Sequence, residues 1–194
     1  MRVSPTVETT WASWVDLHPE TLVLSDVEGQ GLSPEFFDYW LYPYGAYESI
    51  PVFFLTQIMS PLDPRRFGKE RVIGLPSSSR DPGIAFPFGA LEEQPGPRQA
   101  ISFSYEGDEL VLLWSDDAQG GTAFRPITSS GESVTMTGTG HGFVDEETDS
   151  TWTLDGLSIS GPFEGERLVP VTRAHTAFWG AWAAFHPTTR LWEK

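Results

Sequence analysis

The chain carries few groups suited to covalent or metal chemistry. Its 194 residues include four histidines and no cysteine. That excludes a thiolate nucleophile, a disulfide and a cysteine-built zinc site. Serine catalysis of the hydrolase type needs a strained elbow such as G-x-S-x-G, and none occurs. "GTGHG" around His141 lacks the lysine of a phosphate-binding loop and reads as a flexible strand connection. "DEETDS", with Asp145, Glu146, Glu147 and Asp149, lacks the alternate spacing and central glycine of a calcium loop and reads as a solvated turn. Asp116-Asp117 reads as a loop. With 27 acidic residues, no carboxylate pair stands out. No catalytic residue, metal ligand or cofactor is therefore assigned. Aromatic side chains remain: Trp40, Tyr42, Tyr44 and Trp114 are the candidates to line a small-molecule site, such as one for a carbohydrate.

The net charge of −15 repels phosphate backbones, which argues against nucleic acid as a partner. No run of about 18 apolar residues is present to span a membrane. "MRVSPTVETT" has no apolar stretch of the signal-peptide kind, and the compartment stays open.

One phrase occurs twice. Trp11, Trp14, His18, Pro19 and Thr21 recur 168 positions later as Trp179, Trp182, His186, Pro187 and Thr189. In a helix the two tryptophans and the histidine fall at i, i+3 and i+7, on one stripe. The proline after each histidine stops the helix. Each copy reads as a clasp: two tryptophans pin a short helix onto a sheet, and the histidine closes its C-terminal end. The expectation is two equivalent helices within 9–19 and 177–187, with all four tryptophans mostly buried.

Around the clasps the signals are those of strands. "TLVLS" follows the first clasp, and Ser33-Pro34-Glu35 starts a helix that Pro43 ends. "ERVIGL", "GIAFPF" ending at Pro87, and the alternating "ISFSY" follow. Glu106-Gly107 turns the chain into "ELVLLW", whose unbroken apolar run predicts a strand buried on both faces. Asp155-Gly156 predicts a two-residue hairpin that pairs Leu154 with Leu157 and Trp152 with Ile159, and puts those four side chains on the core face. The fold class is mostly β (β-rich α+β): a compact antiparallel or mixed β domain with a few short helices.

The chain resembles domain-of-unknown-function family 3179. The residues that carry the resemblance are Thr148, Ser150, Trp152, Gly156, Gly161, Pro162, Gly165 and Leu168, with both clasps. Asp63, Arg65, Lys69, Glu70, Val72 and Gly74 add to it, as do Pro43-Tyr44, Tyr47 and Ala85–Phe88. The resemblance implies two related units, each ending in a clasp. Residues 1–67 are then the tail of a first unit plus an aromatic linker, and residues 68–194 a whole second unit. The family's cysteine-bearing segment falls near Trp114–Asp117, where this chain has no cysteine, so its chemistry does not carry over. Family members are often exported. The resemblance implies no established activity, and the lack of a recognisable nucleophile motif, metal cluster or phosphate loop points to a non-catalytic β-rich structural or interaction domain, with the aromatic small-molecule site as the alternative. An apolar surface left by the first unit's missing body would be covered by residues 1–67 folding back, or by a second copy.

Overall fold

The computed structural model describes residues 7–23, 45–48, 63–77 and 82–193. The helix start at Ser33 lies outside the described residues. In chain order the elements are α1 (Trp11–Leu17), a 3-10 turn (Gly45–Glu48), β1 (Arg71–Leu75), β2 (Ile84–Pro87), α2 (Phe88–Glu92), β3 (Arg98–Tyr105) and β4 (Asp108–Ser115). Then follow β5 (Gly120–Thr128), β6 (Met136–Gly138), β7 (Phe143–Asp145), β8 (Thr151–Trp152), β9 (Ser158–Ser160), β10 (Leu168–Pro170), β11 (His175–Phe178), α3 (Trp179–Phe185) and β12 (Arg190–Leu191). They form three four-stranded sheets, ordered β11-β1-β2-β12, β10-β5-β4-β3 and β6-β7-β8-β9. The fold is β-rich with a few short helices, as the strand signals require.

The β3–β4 hairpin organises the middle sheet. Glu106 and Gly107 both take positive φ (53° and 85°), the two-residue turn whose twist matches the strands. The register runs unbroken from Tyr105 opposite Asp108 to Arg98 opposite Ser115. Leu110 through Trp114 are all buried, so β4 is covered on both faces. Alternation sorts its side chains. Leu110, Leu112 and Trp114 join Ile73, Leu75 and Phe86 of the first sheet. Val111 and Leu113 join Phe124, Phe143 and Trp152 toward the third sheet. The Tyr105 hydroxyl donates to the Leu75 carbonyl (3.1 Å) and ties the first two sheets together.

The first sheet is also covered twice. Its strands alternate between Ile73 and Phe86, which face the middle sheet, and Val72 and Ala85, which pack under α3 with Trp179, Trp182 and Ala183. Gly74 lies directly beneath the Trp182 ring. A Cβ there would stand 2.3 Å from Cζ3, closer than any side chain can approach.

Two local expectations are corrected. The Asp155-Gly156 turn is a three-residue loop. Thr153 N–H donates to the Leu157 carbonyl (2.8 Å), and Gly156 N–H to the Thr153 carbonyl (3.0 Å), with Gly156 at φ +77°. The extra residue pairs Trp152 with Ser158. Ser158 is therefore buried and Ile159 is 53% exposed, the reverse of the two-residue register. The second correction concerns "TLVLS". Its described part, Thr21–Val23, forms no strand, and Leu22 and Val23 are 94% and 70% exposed.

Gly74→Val forces the Trp182 ring off its seat. The expected cost is about 1–3 kcal/mol, read as a lower urea midpoint. Gly107→Asn is a useful comparison, because nothing lies near its Cβ position and Asn tolerates positive φ. It should cost much less.

Candidate functional site

The two clasps have the same internal geometry. In the first, the Trp14 indole N–H donates to Thr21 Oγ1 (2.9 Å); in the second, Trp182 donates to Thr189 Oγ1 (3.0 Å). His18 and His186 cap their helices with the same backbone shape, φ/ψ −135°/70° and −129°/63°. Each donates its backbone N–H to the tryptophan carbonyl, at 2.8 Å in both. Each imidazole packs on its indole, with ring centroids 4.3 and 4.1 Å apart. The threonine N–H closes the turn onto the histidine carbonyl, at 3.0 and 2.9 Å. The W-x-x-x-H-P-x-T spacing is thus a lock built from one indole, one imidazole and one hydroxyl.

The surroundings of the two locks differ. Trp179 and Trp182 are 0% and 2% exposed on the first sheet. Trp179 N–H donates to the Glu70 carbonyl (2.7 Å), and its indole N–H to the Asp63 carbonyl (3.1 Å). Arg65 lies over the Trp179 ring and donates to the Thr189 carbonyl (2.9 Å). The D-x-R…E-x-V-x-G residues therefore build the seat of the second clasp. In the first clasp Trp11 is 57% exposed and no α1 residue is fully buried, which corrects the expectation of four buried tryptophans. The reason is orientation. α1 leans on the rest of the chain through Leu17, which packs against Leu168, Phe124 and their neighbours, and not through its Trp11 side. Thr10 N–H and Thr9 Oγ1 both donate to the Ala118 carbonyl (2.8 and 3.2 Å).

Between α1 and β5, β10 and the 153–157 turn lies a cleft of about 430 Å³, lined by Trp14, His18, Phe124, Asp155, Arg167 and Leu168 among others. Asp155 Oδ2 stands 3.6 Å from His18 Nε2 and 3.4 Å from an Arg167 guanidinium nitrogen. The cleft pairs an apolar aromatic wall with one acceptor and two donors. That set can hydrogen-bond hydroxyls. Sequence reasoning missed it because Asp155 and Arg167 reach His18 only through the tertiary fold.

Of the sequence candidates, Trp40, Tyr42 and Tyr44 lie outside the described residues. Trp114 is completely buried against Phe88, and its indole N–H donates to Asp116 Oδ1 (2.6 Å). No group of three or more metal-ligating side chains occurs among the described residues. "DEETDS" is only partly a solvated turn, because Asp145 is fully buried. Its carboxylate accepts from the Trp152 indole (2.8 Å) and from the Thr148 N–H and hydroxyl (2.7 and 2.8 Å), while Thr148 and Ser150 share a hydroxyl bond of 2.6 Å. In the T-x-S-x-W phrase Thr148 and Trp152 are donors to this carboxylate, and Ser150 bonds the Thr148 hydroxyl.

The chain belongs to the family described as "Protein of unknown function (DUF3179)", whose model matches residues 1–189. No curated protein and no solved structure matches it.

Asp145 and His186 both contribute to the acid response. Burial pushes the Asp145 carboxyl up, but the Trp152 and Thr148 donors outweigh it and hold the group below the ordinary carboxylate value. Its stabilisation is complete above the unfolded pKa near 4 and is lost as pH falls through the folded value. Burial, and then the charge of His175, push His186 below 6.5. The unfolded chain takes up that proton first, so stability falls as pH drops below about 6.5. Urea midpoints should therefore decline in two steps, near pH 6 and below pH 4. Asp145→Asn should cost about 1–3 kcal/mol at pH 7 and flatten the lower step. His186→Gln should flatten the upper one.

Proposed function

We propose that this protein is a non-catalytic, β-rich interaction domain that uses its first clasp as the contact surface. One observation carries the reading: two clasps share one geometry, yet the tryptophan side of the second is buried in its own sheet while that of the first stays open. Trp11 and Val23, counterparts of the buried Trp179 and half-buried Leu191, are exposed beside an exposed Leu22, and large exposed apolar side chains gathered on one segment mark contact sites. A related repeat unit, from a second copy of the chain or from another protein, is the partner this surface suits.

A second reading, a site for a small neutral sugar or polyol, is favoured by the His18–Asp155–Arg167 cleft and its aromatic wall. Titration with neutral mono- and disaccharides, followed by ligand-observed NMR, tests it. Signal transfer should vanish in Asp155→Asn and Arg167→Gln.

The interaction reading is tested on the full chain by sedimentation velocity and hydrophobic-dye binding. The wild type should bind dye and self-associate as its concentration rises. The double variant Leu22→Lys, Val23→Lys should lose both while keeping its urea midpoint within about 0.5 kcal/mol of wild type, as exposed positions do. A wild-type chain that stays monomeric and binds no dye overturns it.

A further inference from the structure

The second clasp shows what its tryptophan side needs. β11 enters α3 and β12 leaves it, and these are the two outer strands of the sheet β11-β1-β2-β12. The inner pair, β1 and β2, fills the gap between them. β11 runs antiparallel to β1, from Arg71 opposite Phe178 to Gly74 opposite His175. β12 runs parallel to β2, with Arg190 beside Ile84 and Leu191 beside Ala85.

The same offset of 168 places Val7–Thr10 on β11 and Leu22–Val23 on β12. The first clasp thus keeps both outer segments, and no strand lies between them among the described residues. Its backbone records the vacancy donor by donor. In the second clasp Trp179 N–H donates to the Glu70 carbonyl, Gly180 N–H to Gly68 and Arg190 N–H to Gly83, at 2.7, 2.9 and 2.7 Å. Their counterparts, Trp11, Ala12 and Leu22, donate to no backbone acceptor among the described residues. The helix side facing the gap agrees. Trp179, Gly180, Trp182 and Ala183 are buried, whereas Trp11 and Ala12 are exposed and Trp14 and Val15 only half-buried. Thr10 N–H, which points out of the gap in this register, is the donor already used, on Ala118.

We infer that the first clasp is the outer half of a second four-stranded sheet, and that its partner is a β-hairpin of the β1–β2 kind from another repeat unit. This deepens the interaction reading and rests on it. The chain's own β1–β2 pair is taken up between β11 and β12, so the first clasp needs the hairpin of another copy of that unit. Its chemistry is defined by the occupied copy. It offers carbonyls where Gly68, Glu70 and Gly83 offer theirs. It is apolar at the places of Val72 and Ala85. It has a glycine opposite Trp14, because the indole of the occupied copy rests on Gly74. Strand addition of this kind takes affinity from main-chain bonds and specificity from the side chains facing the helix.

The probe is a synthetic peptide of residues 66–90, the chain's own occupant of the equivalent seat, titrated into the full-length protein. Calorimetry should show one-to-one binding, and the tryptophan emission should shift to the blue with less acrylamide quenching. A peptide carrying Gly74→Val should bind at least about tenfold more weakly, as should the protein variant Trp11→Ala. Absence of binding overturns the inference, as does equal binding of the valine peptide. Binding undiminished by Trp11→Ala also overturns it, because the peptide would then be replacing β1–β2 in the second clasp. Dye binding and self-association that persist without peptide binding would sink the hairpin alone and leave the interaction reading standing.

Discussion

A tryptophan resting on a glycine is the contact on which the second clasp depends. The Trp182 indole lies where Gly74 has no side chain, and its N–H is held by Thr189. The ring can therefore approach the sheet backbone closely without leaving a polar atom unpaired. Everything in the clasp serves this placement. His186 stacks on the ring, Pro187 ends the helix, and the chain turns back to add β12 beside β2. Arg65 and Asp63 cover the neighbouring Trp179 from outside. A seven-residue helix has little stability of its own in water. Here it is held by two buried indoles and by strands at both ends.

Layering follows from the same economy of sides. The first sheet faces α3 with Val72 and Ala85 and the middle sheet with Ile73 and Phe86, so it needs partners on both faces. The middle sheet is likewise enclosed, which explains the unbroken apolar run of β4. The third sheet carries Asp145, the one fully buried carboxylate among the described residues. It is tolerated because three donors from Thr148 and Trp152 converge on it. This carboxylate and the imidazole of the second clasp both make the fold sensitive to acid.

The first clasp shows how far a local motif can be separated from its setting. Its lock closes without a sheet beneath the helix, because the indole, imidazole and hydroxyl are contributed within eleven residues. What the lock does not supply is cover for Trp11, Leu22 and Val23, or acceptors for the amides beside them. Family membership adds no activity to this picture.

The sequence by itself determined the local parts of this protein. The duplicated phrase located two equivalent helices, because tryptophan, histidine, proline and threonine at those spacings interact within one turn of chain. Glu106-Gly107 located a hairpin, because positive φ at both positions leaves few other conformations. The run Leu110–Trp114 located a strand covered on both faces. Only the tertiary structure decided the rest. The loop at Asp155-Gly156 took one more residue than expected, with Thr153 bonded to Leu157 and Trp152 opposite Ser158, and that moved Ile159 outward. Asp145 looked like one acid among several until Trp152 and Thr148 were seen to enclose it. Trp11 and Trp179 occupy the same place in the same phrase, yet one is open and the other buried. No pattern within the phrase could separate them, because burial depends on a sheet some hundred residues away in the chain, and only one of the two clasps has that sheet beneath it.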